Sequence, residues 1–176
     1  MGQKEIHGKK ITIHSTTADD LPDVLNLWNN GEVMHYVGFP NGLGMNLNQM
    51  HGWLQKLNNN PDRHHYVVTA PEIGFCGEVY YRFERIYRRG ELDIKLLPKV
   101  QGQGIASDAF RTLLNIVFTS EPDVDAVYVT PHNENKAALG LYSHYGFKPK
   151  PCPGDMKCPA TNSYRELRRE EFSDYN

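Results

Sequence analysis

"LPKVQGQGIASDAF", residues 97–110, packs two glycines and two glutamines into one turn and then runs into an apolar pattern. Ala106, Phe110, Leu113, Leu114 and Val117 recur at the spacing of one helix face, which predicts a helix from about residue 104 to 118. Gln103 and Gly104 then lie at its first turn, where backbone N–H groups lack intrahelical partners and the helix dipole is positive. Glycines ahead of such a turn let the backbone approach a ligand closely, and a phosphate suits that setting. They equally serve a plain tight turn between strand and helix, and spacing alone leaves both readings open. Two phosphate motifs are excluded. The lysine and hydroxyl residue of G-x-x-x-x-G-K-[ST] are missing, and Ser107 stands where a dinucleotide fingerprint needs its third glycine.

Outward from this turn, strand-like and helix-like stretches alternate. "KKITIHST" (9–16) reads as a strand and "DDLPDVLNLWNN" (19–30) as a helix, with Asp19 or Asp20 as cap, Pro22 in the first turn and Leu21, Val24, Leu25 and Trp28 on one face. "NLNQMHGWLQKLNNNP" (46–61) reads as a second helix with Met50, Trp53, Leu54 and Leu57 inward. "HHYVVTA" (64–70), "GFCGEVYYRFE" (74–84) and "GELDIKLLP" (90–98) follow as three strands joined through "PEIG" and "RIYRRG", an antiparallel meander. After the helix at 104 come a strand "VDAVYVTP" (124–131), a helix over about 134–145, a return strand at "GFKP" (146–149), and one more candidate strand in "NSYRELRREEF" (162–172). The order predicts a mixed α/β sheet with helices packed against it.

Composition narrows the function classes. With 176 residues, 39% hydrophobic and 23% charged, the chain suits one globular domain spanning residues 1–176. No stretch approaches the length of an apolar membrane span, the start lacks the apolar centre of a secretion signal, and Ile6 breaks the myristoylation pattern. Net charge is −2, and the clusters Arg82/Arg85/Arg88/Arg89 and Arg165/Arg168/Arg169 are too short for a nucleic-acid face and read as solvated surface. Three cysteines, an odd number, predict reduced thiols in a cytoplasm. Cys152 and Cys158 in "PCPGDMKCP" (151–159) lack metal-ligand spacing and read as part of a proline-rich loop, and Cys76 reads as core. No metal is expected.

The turn acquires a further meaning beside a second stretch. Gln101-Gly102-Gln103-Gly104-Ile105-Ala106 resembles the Q/R-x-x-G-x-G/A signature of the GNAT superfamily of N-acetyltransferases, and "HNENKAALGLYSHYGFKP" (132–149) resembles that family's N-x-x-A-x-x-L-Y-x-x-x-G-F segment through Asn135, Ala138, Leu141, Tyr142, Gly146 and Phe147. "LWNNGEVMHYVGFP" (27–40) resembles the early segment of the branch containing ribosomal-protein N-terminal acetyltransferases, so the resemblance covers roughly residues 10–150. It implies a GNAT-type, mostly antiparallel central sheet whose strands splay at an acetyl-CoA site, with no nucleic acid and no membrane involved; a homodimer is compatible with it.

Residue by residue, the resemblance implies that backbone groups of Gln101, Gly102, Gln103, Gly104, Ile105 and Ala106 cradle the pyrophosphate. The backbone around Leu96 and Leu97 would pair with the pantetheine arm, the Leu96 N–H would polarise the thioester carbonyl, and Tyr142 would be the general acid beside the sulfur. Gln101 stands where many members carry arginine, so backbone and dipole would do more of the holding than ion pairing. Asn135 and Ala138 would reach the cofactor, although Asn135 also fits a helix cap, and Tyr142 also fits helix packing. For the base, Glu91 and Asp93 share one strand face; Glu78 and His35 are further candidates. "HYVGFPNGLG" (35–44) reads as an acceptor-side loop. The acceptor implied is a protein or peptide N-terminus, a polyamine, an aminoglycoside or another small amine. A catalytically silent CoA-binding or sensing module and a nucleotide enzyme using the glycine turn are the alternatives.

Overall fold

The computed structural model describes residues 5–172. The strands are β1 (Glu5–His7), β2 (Thr12–Ser15), β3 (Arg63–Ala70), β4 (Gly74–Glu84), β5 (Arg89–Leu96), β6 (Ala126–Val129), β7 (Lys148–Pro149) and β8 (Arg165–Arg168). They form one eight-stranded sheet in the order β1-β2-β3-β4-β5-β6-β8-β7. Every adjacent pair is antiparallel except β5 and β6. The helices are α1 (Leu21–Trp28), α2 (Gly31–Met34), α3 (Leu47–Asn58), α4 (Ile105–Ser120) and α5 (Lys136–His144).

Alternation along β3 sends its side chains to both faces of the sheet, and both are covered. Val67 packs with Leu21, Val24, Met50, Leu54 and Leu57 of α1 and α3. Tyr66 and Val68 join Val79, Tyr81 and Phe83 of β4 and the α4 stripe of Phe110, Leu113, Leu114 and Val117. A central strand buried on both faces loses the polar alternation of a half-exposed one, as the consecutive buried residues Tyr66, Val67 and Val68 show. Tyr145 of the α5 end bonds the carbonyl of Ser107 at 2.6 Å and so ties α5 to the start of α4. Asp108, buried in α4, accepts from the backbone N–H groups of Lys10 at 2.6 Å and Ile11 at 3.2 Å, fixing the β1–β2 turn against the helix.

The predicted meander, the helix after Gly104 and both early helices are observed. β1 and the short α2, capped by the Asn30 side chain, were not foreseen. The strand at "GFKP" shrinks to two residues, and the last strand inserts between β6 and β7. Asp20 precedes α1, but its carboxylate turns back to accept from the Thr17 N–H at 2.8 Å.

One expectation is overturned. Cys152 and Cys158 form a disulfide, with Cα atoms 6.1 Å apart, in the loop between β7 and β8. The chain folds back inside this loop, with the Met156 N–H donating to the Pro153 carbonyl at 2.9 Å, and that reversal brings together two cysteines whose spacing suggested neither a metal nor a bridge. The thiol argument for a reducing compartment therefore rests on buried Cys76 alone and no longer carries weight. No helix among the described residues is long and apolar enough to cross a membrane.

Candidate active site

The site begins where β5 and β6 part. They pair only through Arg89–Glu91 and Ala126–Tyr128, so Leu92 to Leu96 have no strand partner on that side. On the other side the ladder with β4 continues to Gly77 opposite Leu96, and the Leu97 N–H donates to the Cys76 carbonyl at 2.8 Å. Antiparallel ladders bond through every second residue. The Leu97 bond therefore assigns Asp93 and Lys95 to the β4 ladder and turns the backbone groups of Ile94 and Leu96 towards the opening, where the Ile94 N–H donates to the Asp93 carboxylate at 2.9 Å and the Leu96 N–H has no partner among the described residues.

Past Leu96 the chain turns over Pro98–Val100 and enters the glycine loop. Gly102 and Gly104 have φ of 75° and 77°, the left-handed region that favours glycine. Gly104 is the N-cap of α4, and no side chain caps that helix. Its first N–H groups have no intrahelical partner. A cation stands beside them: the Lys10 ammonium donates to the Gln103 carbonyl at 2.8 Å.

These elements enclose a cavity of about 1420 Å³. Of the residues singled out in the sequence, Leu96, Gln101, Gly102, Gly104, Ala106, Asn135, Ala138, Tyr142, Glu91, Asp93 and His35 line it. Leu97, Gln103, Ile105 and Glu78 do not. Ile105 is buried in the core, and the Gln103 side chain bonds back to the Lys99 carbonyl at 2.9 Å. Asn135 acts as the α5 cap, accepting from the Ala138 N–H at 3.1 Å.

Tyr142 projects from α5 between Phe110 and Phe147, with ring centroids 5.1 and 5.9 Å away. Burial, helped by the negative charge of Asp93, pushes its hydroxyl above the usual tyrosine range, so the phenol keeps its proton. Among the described residues that hydroxyl has no hydrogen-bond partner, while the residue lines the cavity.

The carboxylates differ in their settings. Asp93 pairs with Lys95 through one carboxylate oxygen and accepts from the Ile94 N–H at 2.9 Å through the other. Glu91 accepts from Arg82 at 2.9 Å, and its carboxyl is raised, burial outweighing the arginine. Glu78 is fully buried and accepts from Trp28 Nε1 at 2.8 Å, His65 Nε2 at 2.8 Å and Lys95 Nζ at 3.3 Å. Burial alone would raise its pKa, but attraction to His65 and Lys95 brings it down to about 2. A carboxylate so held is a poor base and reaches no cavity. Lys95, in turn, is held above its usual range because Asp93 and Glu78 outweigh its own burial. Across the opening, the ring of Tyr36, just past α2, lies 5.5 Å from that of His132, which follows β6.

Sequence reasoning missed Lys10, Lys95 and His132, while Tyr36 lies in the 35–44 loop read as facing the acceptor. Lys95 sits two residues after Asp93 on the same strand face and was open to the same alternation argument. Lys10 left no local signal, since its partner lies 93 positions away.

The site fits a CoA thioester. The unpaired edge of β5 offers bonds to an amide-bearing arm, and the glycine loop, the uncapped helix start and Lys10 offer charge and N–H groups to a pyrophosphate. Among the described residues no group of three or more His, Cys, Asp or Glu could hold a metal ion.

Comparison with known proteins agrees with this geometry. The family model of the acetyltransferase (GNAT) domain matches residues 10–148. A search of curated proteins finds no match. Among solved structures, the spermidine N-acetyltransferase of Vibrio cholerae, in complex with CoA and spermine, is similar at a TM-score of 0.78 and 21% identity, over 92% of this chain and 97% of that one. A ribosomal L7/L12 alpha-N-protein acetyltransferase in complex with coenzyme A matches at 0.79 and 13% identity, over 96% and 99%. An aminoglycoside acetyltransferase in complex with coenzyme A matches at 0.74 and 16%, over 92% and 96%. The mixed α/β fold is thus that of the GNAT enzymes. With the family model covering most of the sequence, the chain belongs to the GNAT acetyltransferases, acetyl-CoA-dependent N-acetyltransferases.

Proposed function

We propose that the chain, acting as a single domain, moves an acetyl group from acetyl-CoA to a primary amine by direct attack within a ternary complex, with no acyl-enzyme. The observation that carries this reading is the unpaired edge of β5 ending at Leu96, with Tyr142 and Asp93 lining the same cavity. Bound acetyl-CoA supplies the acetyl group as an activated thioester. The Leu96 N–H donates to the carbonyl oxygen as negative charge develops there. Gln101, Gly102 and Gly104 hold the pyrophosphate through the loop backbone, with Lys10 adding charge.

An ammonium ion cannot attack, so a proton must leave the amine first. Asp93 takes it, directly or through water, because it lines the same cavity as Tyr142 and its carboxylate is the more exposed of the two strand-face acids. The free amine adds to the thioester carbonyl carbon, the C–S bond breaks as the carbonyl re-forms, the Tyr142 hydroxyl gives its proton to the departing sulfur, and the resulting phenolate takes the surplus proton from the new amide nitrogen. A phenol held above its ordinary range remains protonated through neutral and mildly alkaline pH, which suits an acid. Glu32, Glu91 and Asp93 on the cavity wall favour a cationic acceptor, either a small amine or a peptide N-terminus.

The test is thiol release from acetyl-CoA across peptide N-termini, polyamines and aminoglycosides, with the acetylated product identified by mass. Tyr142→Phe should lower turnover by roughly two to four decades with near-normal acetyl-CoA binding. Binding of acetyl-CoA with no acetylated product from any class would favour a silent CoA-binding module.

A further inference from the structure

The disulfide loop faces a second cavity, of about 420 Å³. Asp155, Met156, Lys157 and Cys158 form its outer wall, and Arg82, Glu84 and Tyr128 of the sheet lie opposite. Glu91, Thr130 and Pro159 line both this cavity and the main one, so the two spaces adjoin beside Glu91, two residues along β5 from Asp93. An acceptor whose reacting amine lies near Asp93 has this space before its remaining length.

Two devices hold the outer wall in place. The Cys152–Cys158 bridge closes the neck of the loop. At its tip, Arg89 donates to both Asp155 oxygens, at 2.5 and 3.4 Å. Arg89 is itself fixed: it is buried, bonds Glu84 at 2.5 Å, and lies over the rings of Tyr87 and Tyr128 at 4.5 and 5.3 Å. Apart from the Arg89 pair, residues 152–158 make no hydrogen bond to the sheet among the described residues. Further back the stems are joined by the Lys150 N–H, which donates to the Tyr164 carbonyl at 3.0 Å, but across residues 152–158 a single ion pair without the bridge gives a poorly defined wall, because ordering that stretch costs conformational entropy. The disulfide removes much of that freedom in advance.

We propose that the disulfide-closed loop is a specificity-determining wall for the part of the acceptor beyond its reacting amine, and that its grip depends on the state of the Cys152–Cys158 bridge. The inference rests on the amine acetyltransferase reading above. A dithiol reductant breaks the Sγ–Sγ bond by giving two electrons and two protons, leaving two thiols and an oxidised, cyclic disulfide reductant. The reduced loop keeps the Asp155 pair but loses its closed neck, and long acceptors lose a defined surface to rest on.

The experiment uses the full chain, oxidised or pretreated with dithiothreitol. Thiols are titrated in denaturant to fix the state, one for the oxidised protein (Cys76) and three for the reduced. KM is then measured for acetyl-CoA, a short alkylamine, a linear triamine and a tripeptide amide. Reduction should raise KM for the triamine or the tripeptide by about tenfold, the scale of one lost contact region, while KM for the short amine and acetyl-CoA shifts by less than about twofold. A C152S/C158S double variant should reproduce the reduced ranking and ignore the reductant. Asp155→Asn, which weakens the Arg89 pair with the bridge intact, should raise the same long-acceptor KM values. Equal KM values in both states for every acceptor, or a matching rise for acetyl-CoA and the short amine, would overturn the proposal. Turnover of the short amine in either state keeps the acetyltransferase reading standing in those cases. Its absence with every acceptor in both states overturns that reading, and the inference with it.

Discussion

Replacing Glu78 with glutamine removes one buried charge and keeps the shape of the side chain. In the folded chain the carboxyl has a pKa of about 2, against an ordinary 4.5. The difference of about two and a half pH units, at about 1.4 kcal/mol each, makes the charged form worth about 3 kcal/mol to the folded state. A depressed carboxylate contributes this stability fully above its unfolded pKa and loses it as pH falls towards the folded value. Glu78→Gln should therefore be less stable than the parent by about 3 kcal/mol at pH 7, lowering Tm by about 6–12 °C for a chain of this size. Below about pH 4.5 the gap should narrow by about 1.4 kcal/mol per pH unit, reaching about 2 kcal/mol near pH 3.5.

The structure supplies the reporter for this measurement. Trp28 donates its indole N–H to Glu78 at 2.8 Å, and Trp53 lies edge-on to both Trp28 and His65, at centroid distances of 4.8 and 4.9 Å. Urea unfolding followed by tryptophan fluorescence, for parent and variant at several pH values between 7 and 3.5, gives the gap directly. A gap that stays constant down to pH 3.5 would show that the carboxylate is not held low in the folded chain. A variant as stable as the parent at pH 7 would refute the claim that His65, Lys95 and Trp28 more than offset the burial of this charge.

Two further predictions concern the cavity. Asp93→Asn should lower kcat by about two decades or more without raising KM for acetyl-CoA, whereas Glu91→Gln, at the less exposed of the two carboxylates, should cost less than about tenfold; steady-state kinetics of both variants decides between them, and the reverse order would make Glu91 the base. Gly102→Ala meets no neighbour within 4 Å, so its stability cost should be only the ~1–2 kcal/mol of left-handed backbone strain, while calorimetric titration should show about tenfold weaker acetyl-CoA binding; unchanged affinity would remove this loop from the pyrophosphate site.

What could be read from the sequence was local. The glycine loop was legible because left-handed turns need glycine and because the helix after it carries its own apolar period. The charged face of β5 was legible because strand alternation is a two-residue rule. Partners that lie far apart in the chain were not. Lys10 reaches Gln103 across 93 positions, Asp108 holds the backbone of Lys10 across 98, and His65 and Glu78 meet only because β3 and β4 pair in a particular register. The insertion of β8 between β6 and β7 is likewise a property of the sheet's edge, which no window of residues specifies. The disulfide was missed for another reason: an odd count argued for thiols, yet an odd count requires only that one cysteine remain unpaired, and that one is Cys76.

The buried charges and the candidate chemistry belong to one arrangement. Glu78, Lys95 and Asp93 run from the interior to the cavity, with side-chain exposures of 2%, 13% and 42%. A buried ion pair adds little net stability over well-packed apolar residues, because desolvation offsets most of the attraction. Its stronger effect is geometric: Lys95, held from within by Glu78, leaves its other side to Asp93, which limits the orientations that carboxylate can take at the wall. Besides Lys95, the partners that hold Glu78 are Trp28 of α1, on the face of the meander away from α4, and His65 of β3, whose ring lies against Trp28 and Trp53 on that same face. Asp93 is thus oriented by the α1–α3 face of the sheet, while Tyr142 is set by Phe110 and Phe147 on the α4 face. The two groups that would move protons are held by different halves of the core and converge only at the gap between β5 and β6. Loosening the α1–α3 face should then disturb proton transfer before it disturbs the binding of CoA, whereas loosening the α4 face should disturb both, because the CoA loop ends at the first turn of α4.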